Sequence, residues 1–340
     1  MAVTIKQIAD HAGLSVPTVS RILNNDSQLF RAETRDKVLK SASELGYRPN
    51  SYRMALRTKR FNSIGLLFTA DTSLSCLSCE TQTALLGELA RRNQHLVAGQ
   101  AGLSAAIDDA TLPKMLREWS VDGLLIDTTA ATPLAVEELI HRTKIPAIWL
   151  NSRRDADCVY PDEFAGAKAG VERLLDLGHR RVMYLDLGDR GRHFGPDRQA
   201  GYEAAMKAAG LTPQALTPAP VEKADRAAFL SEWIRANRGR DFPTAVFCSG
   251  VDQAMPLYVA AVQAGLSVPR DLSILTIHDQ SADALGLRLT QMRLPAAELA
   301  LVGLTALDEK ILNPTVDVPP CAVPLIYEEG ATLAPVKKGS

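Results

Sequence analysis

Few side chains in this sequence that could make or break bonds stand at spacings that would let them act together. Cys76-Leu77-Ser78-Cys79 has the spacing of a redox or metal-ligating pair, but no second Cys/His pair follows at finger spacing to complete a metal site. The five cysteines (Cys76, Cys79, Cys158, Cys248 and Cys321) are odd in number and scattered, which argues against a structural disulfide framework. Gly188-Asp189-Arg190-Gly191 is rich in glycine, yet it lacks both the Lys-Ser/Thr of a phosphate loop and a GxGxxG run. His179 follows Gly178 where a helical pattern ends, so the glycine reads as a C-cap and the imidazole as structural. No Gly-x-Ser-x-Gly, His-Glu-x-x-His or paired-carboxylate constellation occurs. The sequence predicts a protein that is not an enzyme and needs neither a metal nor a cofactor.

What the sequence does concentrate is positive charge. The chain has 340 residues and a net charge of −1, but residues 1–60 hold 11 Lys/Arg against 5 Asp/Glu, a balance of +6, leaving −7 on the rest. Between Arg48 and Arg60 five charges are basic and none is acidic. A basic head on an acidic body is the electrostatic footprint of a nucleic-acid-binding domain joined to something else. With 46% hydrophobic and 23% charged residues the chain can bury sizeable cores, so intrinsic disorder is excluded. No uncharged apolar stretch approaches the ~18 residues of a membrane span. The N-terminus carries no apolar signal segment, so a cytoplasmic protein without a membrane partner is expected.

The elements that must position the basic residues are legible locally. Thr4-Ile5-Lys6-Gln7 is a capping box, and Ile5, Ile8, Ala9 and Ala12 then recur on one helical face. Gly13 stops that helix in the left-handed region, and Ser15 caps a second one with Pro17 in its first turn. Val19, Ile22 and Leu23 point inward; Val16, Pro17, Ser20 and Arg21 point out. A third helix runs from about Arg31 to Leu45 and stops at Gly46. Two short helices with a tight glycine turn and a third to buttress them make a helix-turn-helix, whose second helix enters the DNA major groove.

The run Ile8-Ala9-Asp10-His11-Ala12-Gly13-Leu14-Ser15-Val16-Pro17-Thr18-Val19-Ser20-Arg21-Ile22-Leu23-Asn24 resembles the N-terminal signature of the lac-repressor/galactose-repressor family of bacterial transcriptional regulators. The likeness continues through Thr34-Arg35-Asp36-Lys37-Val38 and Leu45-Gly46-Tyr47-Arg48-Pro49-Asn50. It implies that Val16, Pro17 and Arg21 occupy base-reading positions, and that Ser15, Thr18, Asn24 and Thr34 face phosphates. Thr4, Ser20, Tyr47 and Asn50 complete that DNA-contacting set. Of the three base-reading residues, Arg21 is the one whose side chain can make a bidentate contact with guanine. Residues 50–57 are too short for an isolated helix in water. In the family they form a hinge that turns helical on the operator, which would make Leu56 a minor-groove wedge and have Arg57 meet phosphates or the groove floor.

From Ser63 apolar runs alternate with amphipathic helices. Residues 64–68, 96–98, 123–126 and 145–150 read as buried parallel strands, with helices near 80–92, 106–119 and 132–143. A second set has strands at 181–185, 245–248 and 272–277 and helices near 163–177, 197–209, 226–237 and 253–265. A helix near 295–311 and one final strand near 322–327 follow. The expected class is α/β: an all-α helix-turn-helix headpiece and hinge, then a two-lobed doubly wound domain like the periplasmic binding proteins. The expected divisions are 1–48 for the headpiece, 49–61 for the hinge, 62–161 plus 290–321 for the first lobe, and 162–289 plus 322–334 for the second.

The resemblance further implies a small-molecule effector, a sugar or related metabolite, in the cleft between the lobes. Arg198, opening Arg198-Gln199-Ala200-Gly201-Tyr202, matches an arginine that grips effector oxygens, and Arg192 matches a second polar contact. Asp279 matches a strand-end aspartate. Ser75, Cys76 and Asn151 stand where first-lobe contacts fall, Asp162 lies near the lobe crossing, and Asp252 follows the strand ending at Ser249. Gly250-Val251 replaces the family's usual Asn-Asp, and residues 73–78 lack the aromatic rings on which a pyranose stacks. The function expected is a regulator, a repressor, binding a palindromic operator in double-stranded DNA as a homodimer under effector control. The rival readings are an effector-independent regulator of the same kind and a sugar-binding or sugar-processing α/β protein.

Overall fold

The computed structural model describes residues 3–24, 29–48, 55, 58–69, 78–101, 113–118, 120–127, 134–188, 194–239, 241–279 and 287–336. The chain divides into two compact units, Met1–Phe61 and Asn62–Ser340.

In the first unit, α1 (Ile5–Ala12), α2 (Val16–Leu23) and α3 (Ala32–Glu44) pack around Ile8, Ala9, Val19, Ile22, Val38 and Ala42. The capping box at Thr4 is formed: Gln7 N–H donates to Thr4 Oγ1 (3.3 Å) and Thr4 N–H to Gln7 Oε1 (2.8 Å). Gly13 ends α1 at φ 62°, where a Cβ would be strained. Ser15 Oγ then accepts from Thr18 N–H (3.3 Å), starting α2 one tight turn later.

The second unit holds two six-stranded sheets. The first contains β1 (Ser63–Thr69), β2 (His95–Ala101), β3 (Gly123–Asp127), β4 (Ala147–Leu150), β5 (Cys158–Pro161) and β11 (Cys321–Val323), in the order β11-β5-β4-β3-β1-β2, all parallel. The second contains β6 (Val182–Leu185), β7 (Gln214–Leu216), β8 (Ala245–Cys248), β9 (Ser273–His278), β10 (Thr290–Arg293) and β12 (Ile326–Glu328), ordered β12-β10-β9-β8-β6-β7. Only β12 runs against its neighbour. Between the strands lie α4 (Cys79–Arg91), α5 (Lys114–Arg117), α6 (Leu134–Thr143), α7 (Glu163–Asp176), α8 (Gly195–Ala208), α9 (Arg226–Asn237), α10 (Val251–Gln263) and α11 (Ala296–Leu312). The central strands of each sheet are buried on both faces, which is why Gly123–Asp127 and Ala245–Cys248 carry no polar alternation.

Several expectations are corrected. Residues 290–293 pair with β9 and belong to the second lobe, so the return to the first lobe begins after Arg293. The single strand expected at 322–327 is two strands in different sheets: β11 pairs with β5, β12 with β10. Pro324 lies between them and has no N–H to continue a ladder. The chain therefore crosses between lobes three times, after Pro161, after Arg293 and after Val323. Of the helix expected at 106–119, residues 114–117 are helical, while 106–112 and 119 lie outside the described residues. The short strands β7 and β10, Gln214–Leu216 and Thr290–Arg293, carry no apolar run that would announce them.

Helix α11 covers the first lobe, where Leu299, Ala300, Leu304 and Leu307 join Leu66, Leu125 and Ile148. In the second lobe α7 and α8 approach closely at Gly201: a Cβ there would stand 2.3 Å from Phe164 O and 2.9 Å from Ala167 Cβ. His179 is buried, with Nε2 3.0 Å from Ala334 O and Nδ1 2.9 Å from Thr244 Oγ1, and so pins the C-terminal segment to the sheet. Burial pushes its pKa below the ordinary histidine value.

Two outcomes follow. Gly201→Ala should lower unfolding stability by ~1–3 kcal/mol, because the clash with backbone outweighs the gain in helix propensity; an unchanged urea midpoint would contradict that contact. His179 is neutral in the fold, so its contribution is complete above the unfolded pKa of about 6.5 and is lost as pH falls through the lowered folded value. The stability gap between wild type and His179→Gln, measured in urea at pH 7.5 and at pH 5, should narrow at the lower pH.

Candidate functional site

Helix α2 presents one face outward. Val16 is 43% exposed, Ser15, Pro17 and Arg21 are exposed, and Thr18, Ser20 and Asn24 are half-buried at its flanks. Among the described residues Arg21 makes no hydrogen bond or ion pair. Its neighbours are engaged instead: Ser15 Oγ lies 2.8 Å from Thr18 Oγ1, and Asn24 Nδ2 donates to Ser20 Oγ (3.2 Å). Thr4 is exposed and holds the α1 cap, while Thr34 and Tyr47 are half-buried. The arrangement offers a guanidinium and a small apolar step on a rigid two-turn helix, suited to a groove edge. Asn50, Leu56 and Arg57 lie outside the described residues.

The second set of polar groups gathers at the carboxyl ends of the strands. In the first lobe Asp127, fully buried at the end of β3, accepts from Asn151 Nδ2 (2.9 Å). Asn151 closes β4 with φ 61°, a conformation asparagine tolerates better than most residues. Asp162 caps α7, accepting from Ala165 N–H (2.9 Å), while its own N–H donates to Val323 O (2.8 Å) at the lobe crossing.

In the second lobe Arg198 is buried beneath the strand ends. Its Nε and Nη2 each donate to Glu163 at 2.8 Å, its Nη1 donates to Ser249 O, and the Phe194 ring centroid lies 4.0 Å away. Gln253 accepts from Leu187 N–H (3.0 Å) and donates to Ser249 Oγ (2.6 Å), tying α10 to the ends of β6 and β8. Asp252 accepts from Arg226 Nη1 (2.6 Å), and Asp279 lies 2.9 Å from His278 Nδ1. Arg293 bridges the lobes, with Glu328 at 2.5 Å and Glu80, at the start of α4, at 3.2 Å. Arg192, Ser75 and Cys76 lie outside the described residues.

Sequence reading singled out Arg198 but missed its partner Glu163, and likewise missed Asp127, Gln253 and Arg226. Asp127 could have been found as the lone carboxylate ending the apolar run Gly123-Leu124-Leu125-Ile126. Nothing local marks Glu163, which looks like an ordinary acid in a helix's first turn. Burial pushes the thiols of Cys158 and Cys248 up, so they stay protonated and poor nucleophiles. Among the described residues no cluster of metal-ligating side chains occurs, and no helix is long and apolar enough to cross a membrane. A cavity of about 520 Å³ on the first lobe, lined in part by Trp149, Arg154 and Lys310, holds none of the expected site residues. Two of its cations are paired within it, Arg154 with Glu137 and Lys310 with Asp157.

Comparison with known proteins places both parts. Residues 4–50 match the family described as bacterial regulatory proteins, lacI family, and residues 171–327 match the periplasmic binding protein-like domain. The chain is 31% identical over 278 residues to the HTH-type transcriptional repressor PurR of Erwinia tasmaniensis, covering 80% of this chain and 79% of that one. It is 28% identical over 338 residues to the HTH-type transcriptional regulator GntR of Escherichia coli, with 97% of each chain covered. The crystal structure of the lac repressor dimer bound to operator and the anti-inducer ONPF superposes over 98% of this chain and 100% of that one, with a TM-score of 0.77 at 20% identity. With its headpiece, its two doubly wound lobes and these relatives, the chain belongs to the lacI family of bacterial regulatory proteins.

Proposed function

We propose that this regulator represses transcription by binding a two-fold symmetric operator as a homodimer in the cytoplasm, and that a sugar or related metabolite held between its lobes sets the operator affinity. The observation that supports this most directly is α2, which buries Val19 and Ile22 and leaves Val16, Pro17 and Arg21 facing outward on a helix capped at Ser15. One such helix makes too few contacts for tight specific binding, and a two-fold protein matches a palindromic site. Arg21 reads a guanine edge; Ser15, Thr18, Asn24 and Thr34 approach phosphates, with Thr4, Ser20, Tyr47 and Asn50 beside them. Leu56 wedges the central step and Arg57 follows the backbone.

Asn151 with Asp127 on one side, and Asp279 with the Arg198 network on the other, form the effector's polar surroundings. Ligands of open α/β sheets bind outside the carboxyl ends of the strands, where all of these residues stand. Ligand that favours one arrangement of the lobes shifts the headpieces toward or away from operator spacing.

Selection of bound sequences from random duplexes should return a two-fold symmetric site; recovery of sequences without symmetry or consensus would refute the reading. On that site Arg21→Ala should cost ~1–3 kcal/mol while barely changing affinity for random DNA. Equal losses on both duplexes would reassign Arg21 to phosphate. Gel shifts repeated across a metabolite panel should reveal one compound that alters operator binding. Asp279→Ala should abolish that response and leave ligand-free operator affinity intact; an unaltered response would remove Asp279 from the pocket.

A further inference from the structure

The arginine that would draw an anion into the second lobe is already occupied by the chain itself. Glu163 and Arg198 meet edge to edge, both side chains 5% exposed, with two parallel hydrogen bonds of 2.8 Å. This is the fork geometry in which a guanidinium otherwise takes up a ligand's carboxylate or phosphate. A third bond, from Nη1 to Ser249 O, and the Phe194 ring at 4.0 Å fix the guanidinium plane. A second carboxylate, Asp186 at the end of β6, is held differently: its Oδ1 accepts from Gly188 N–H (2.9 Å) and from Gln253 Nε2 (3.3 Å), and its Oδ2 lies 3.9 Å from where a Cβ would stand on Gly195, the first residue of α8. The other buried arginine of this lobe, Arg226, is matched by Asp252, and Arg293 by Glu328 and Glu80.

Separating a buried bidentate pair leaves two poorly solvated charges, so a ligand gains little by competing for one of them. An incoming phosphate or carboxylate would also meet the Glu163 carboxylate, which already fills the edge of the Arg198 guanidinium. Resting on the reading of the cleft as an effector site, we propose that Glu163 is a specificity-determining residue: by holding Arg198 it closes the second lobe to anions. The effector is then a compound without negative charge, an uncharged polyol or an amine, whose O–H or N–H groups donate to the strand-end carboxylates.

The test uses the full-length protein with inorganic phosphate as probe, read by titration calorimetry, and subtracts the Glu163→Gln/Arg198→Gln double variant to remove phosphate bound by the basic headpiece. Wild type should show no Arg198-dependent phosphate binding. Glu163→Gln should acquire Arg198-dependent phosphate binding, at least about tenfold above the detection limit that bounds wild type, because its buried guanidinium has lost its counter-charge. No gain in a folded Glu163→Gln protein, judged by circular dichroism, would overturn the proposal. So would Arg198-dependent phosphate binding by wild type, which decides the matter even where the variant does not fold.

A panel pairing each neutral sugar with its phosphate ester, scored by operator gel shift, separates the two readings. A wild-type response to an uncharged member but not to its ester supports the proposal. A response to an ester that vanishes in Arg198→Gln overturns the proposal and leaves the effector reading standing. No response to any member, together with a phosphate gain in Glu163→Gln, counts against the effector reading while upholding the anion barrier at Glu163.

Discussion

Parallel strands cannot be joined by tight turns, and this constraint shapes the larger unit of the protein. Each neighbouring pair needs a crossover, here most often a helix, and each helix must cover a sheet face. The carboxyl ends of the strands are then left together at one edge of each sheet, where chain direction reverses. Asp127, Asn151, Ser249 and His278 arrive at those edges from four different strands. None of them is close to another in sequence; the sheet order alone brings Asp127 beside Asn151 in one lobe and the ends of β8 and β9 together in the other. The three lobe crossings add a second consequence, since a two-lobed unit joined by three segments can change its cleft only by bending those segments in concert.

The headpiece obeys a different rule. Three short helices bury few residues, and helices of eight residues are marginal alone. Their ends are therefore secured by side chains: the reciprocal Thr4–Gln7 box, the Ser15 cap and the left-handed glycines at 13 and 46. Those caps fix the angle between α1 and α2, and with it the direction in which Arg21 projects. Positive charge is gathered on this unit and negative charge on the other, so attraction to phosphate is confined to the part built to meet DNA.

Buried ion pairs in the second lobe contribute more to arrangement than to stability. The desolvation of Glu163 and Arg198 offsets much of their attraction, yet the fork permits one geometry only. That geometry links the first turn of α7, just past a lobe crossing, to α8 and to the end of β8. Arg293 does the same between lobes through Glu80 and Glu328. Polar contacts thus set the arrangement of α7, α8 and the strand ends, while the apolar clusters behind them supply most of the folding free energy.

The sequence by itself determined the headpiece almost completely, because caps, glycine stops and helical periodicity act within a few residues of one another. It also determined the alternation of strands and helices, since strands buried on both faces must be apolar throughout. Short strands escaped it: β7 has little apolar character, and β10 reads Thr-Gln-Met-Arg although Thr290 and Gln291 are wholly buried. Tertiary structure alone decided to which lobe residues 290–293, 321–323 and 326–328 belong, because a strand's partner is chosen by packing and not by its own residues. It also decided the company of the polar residues at the strand ends. Glu163 and Arg198 are 35 positions apart, Asp127 and Asn151 are 24 apart, and Arg293 reaches Glu80 across 213. A charge can be seen in a sequence, but its partner is fixed only when folding excludes the water that would otherwise screen it.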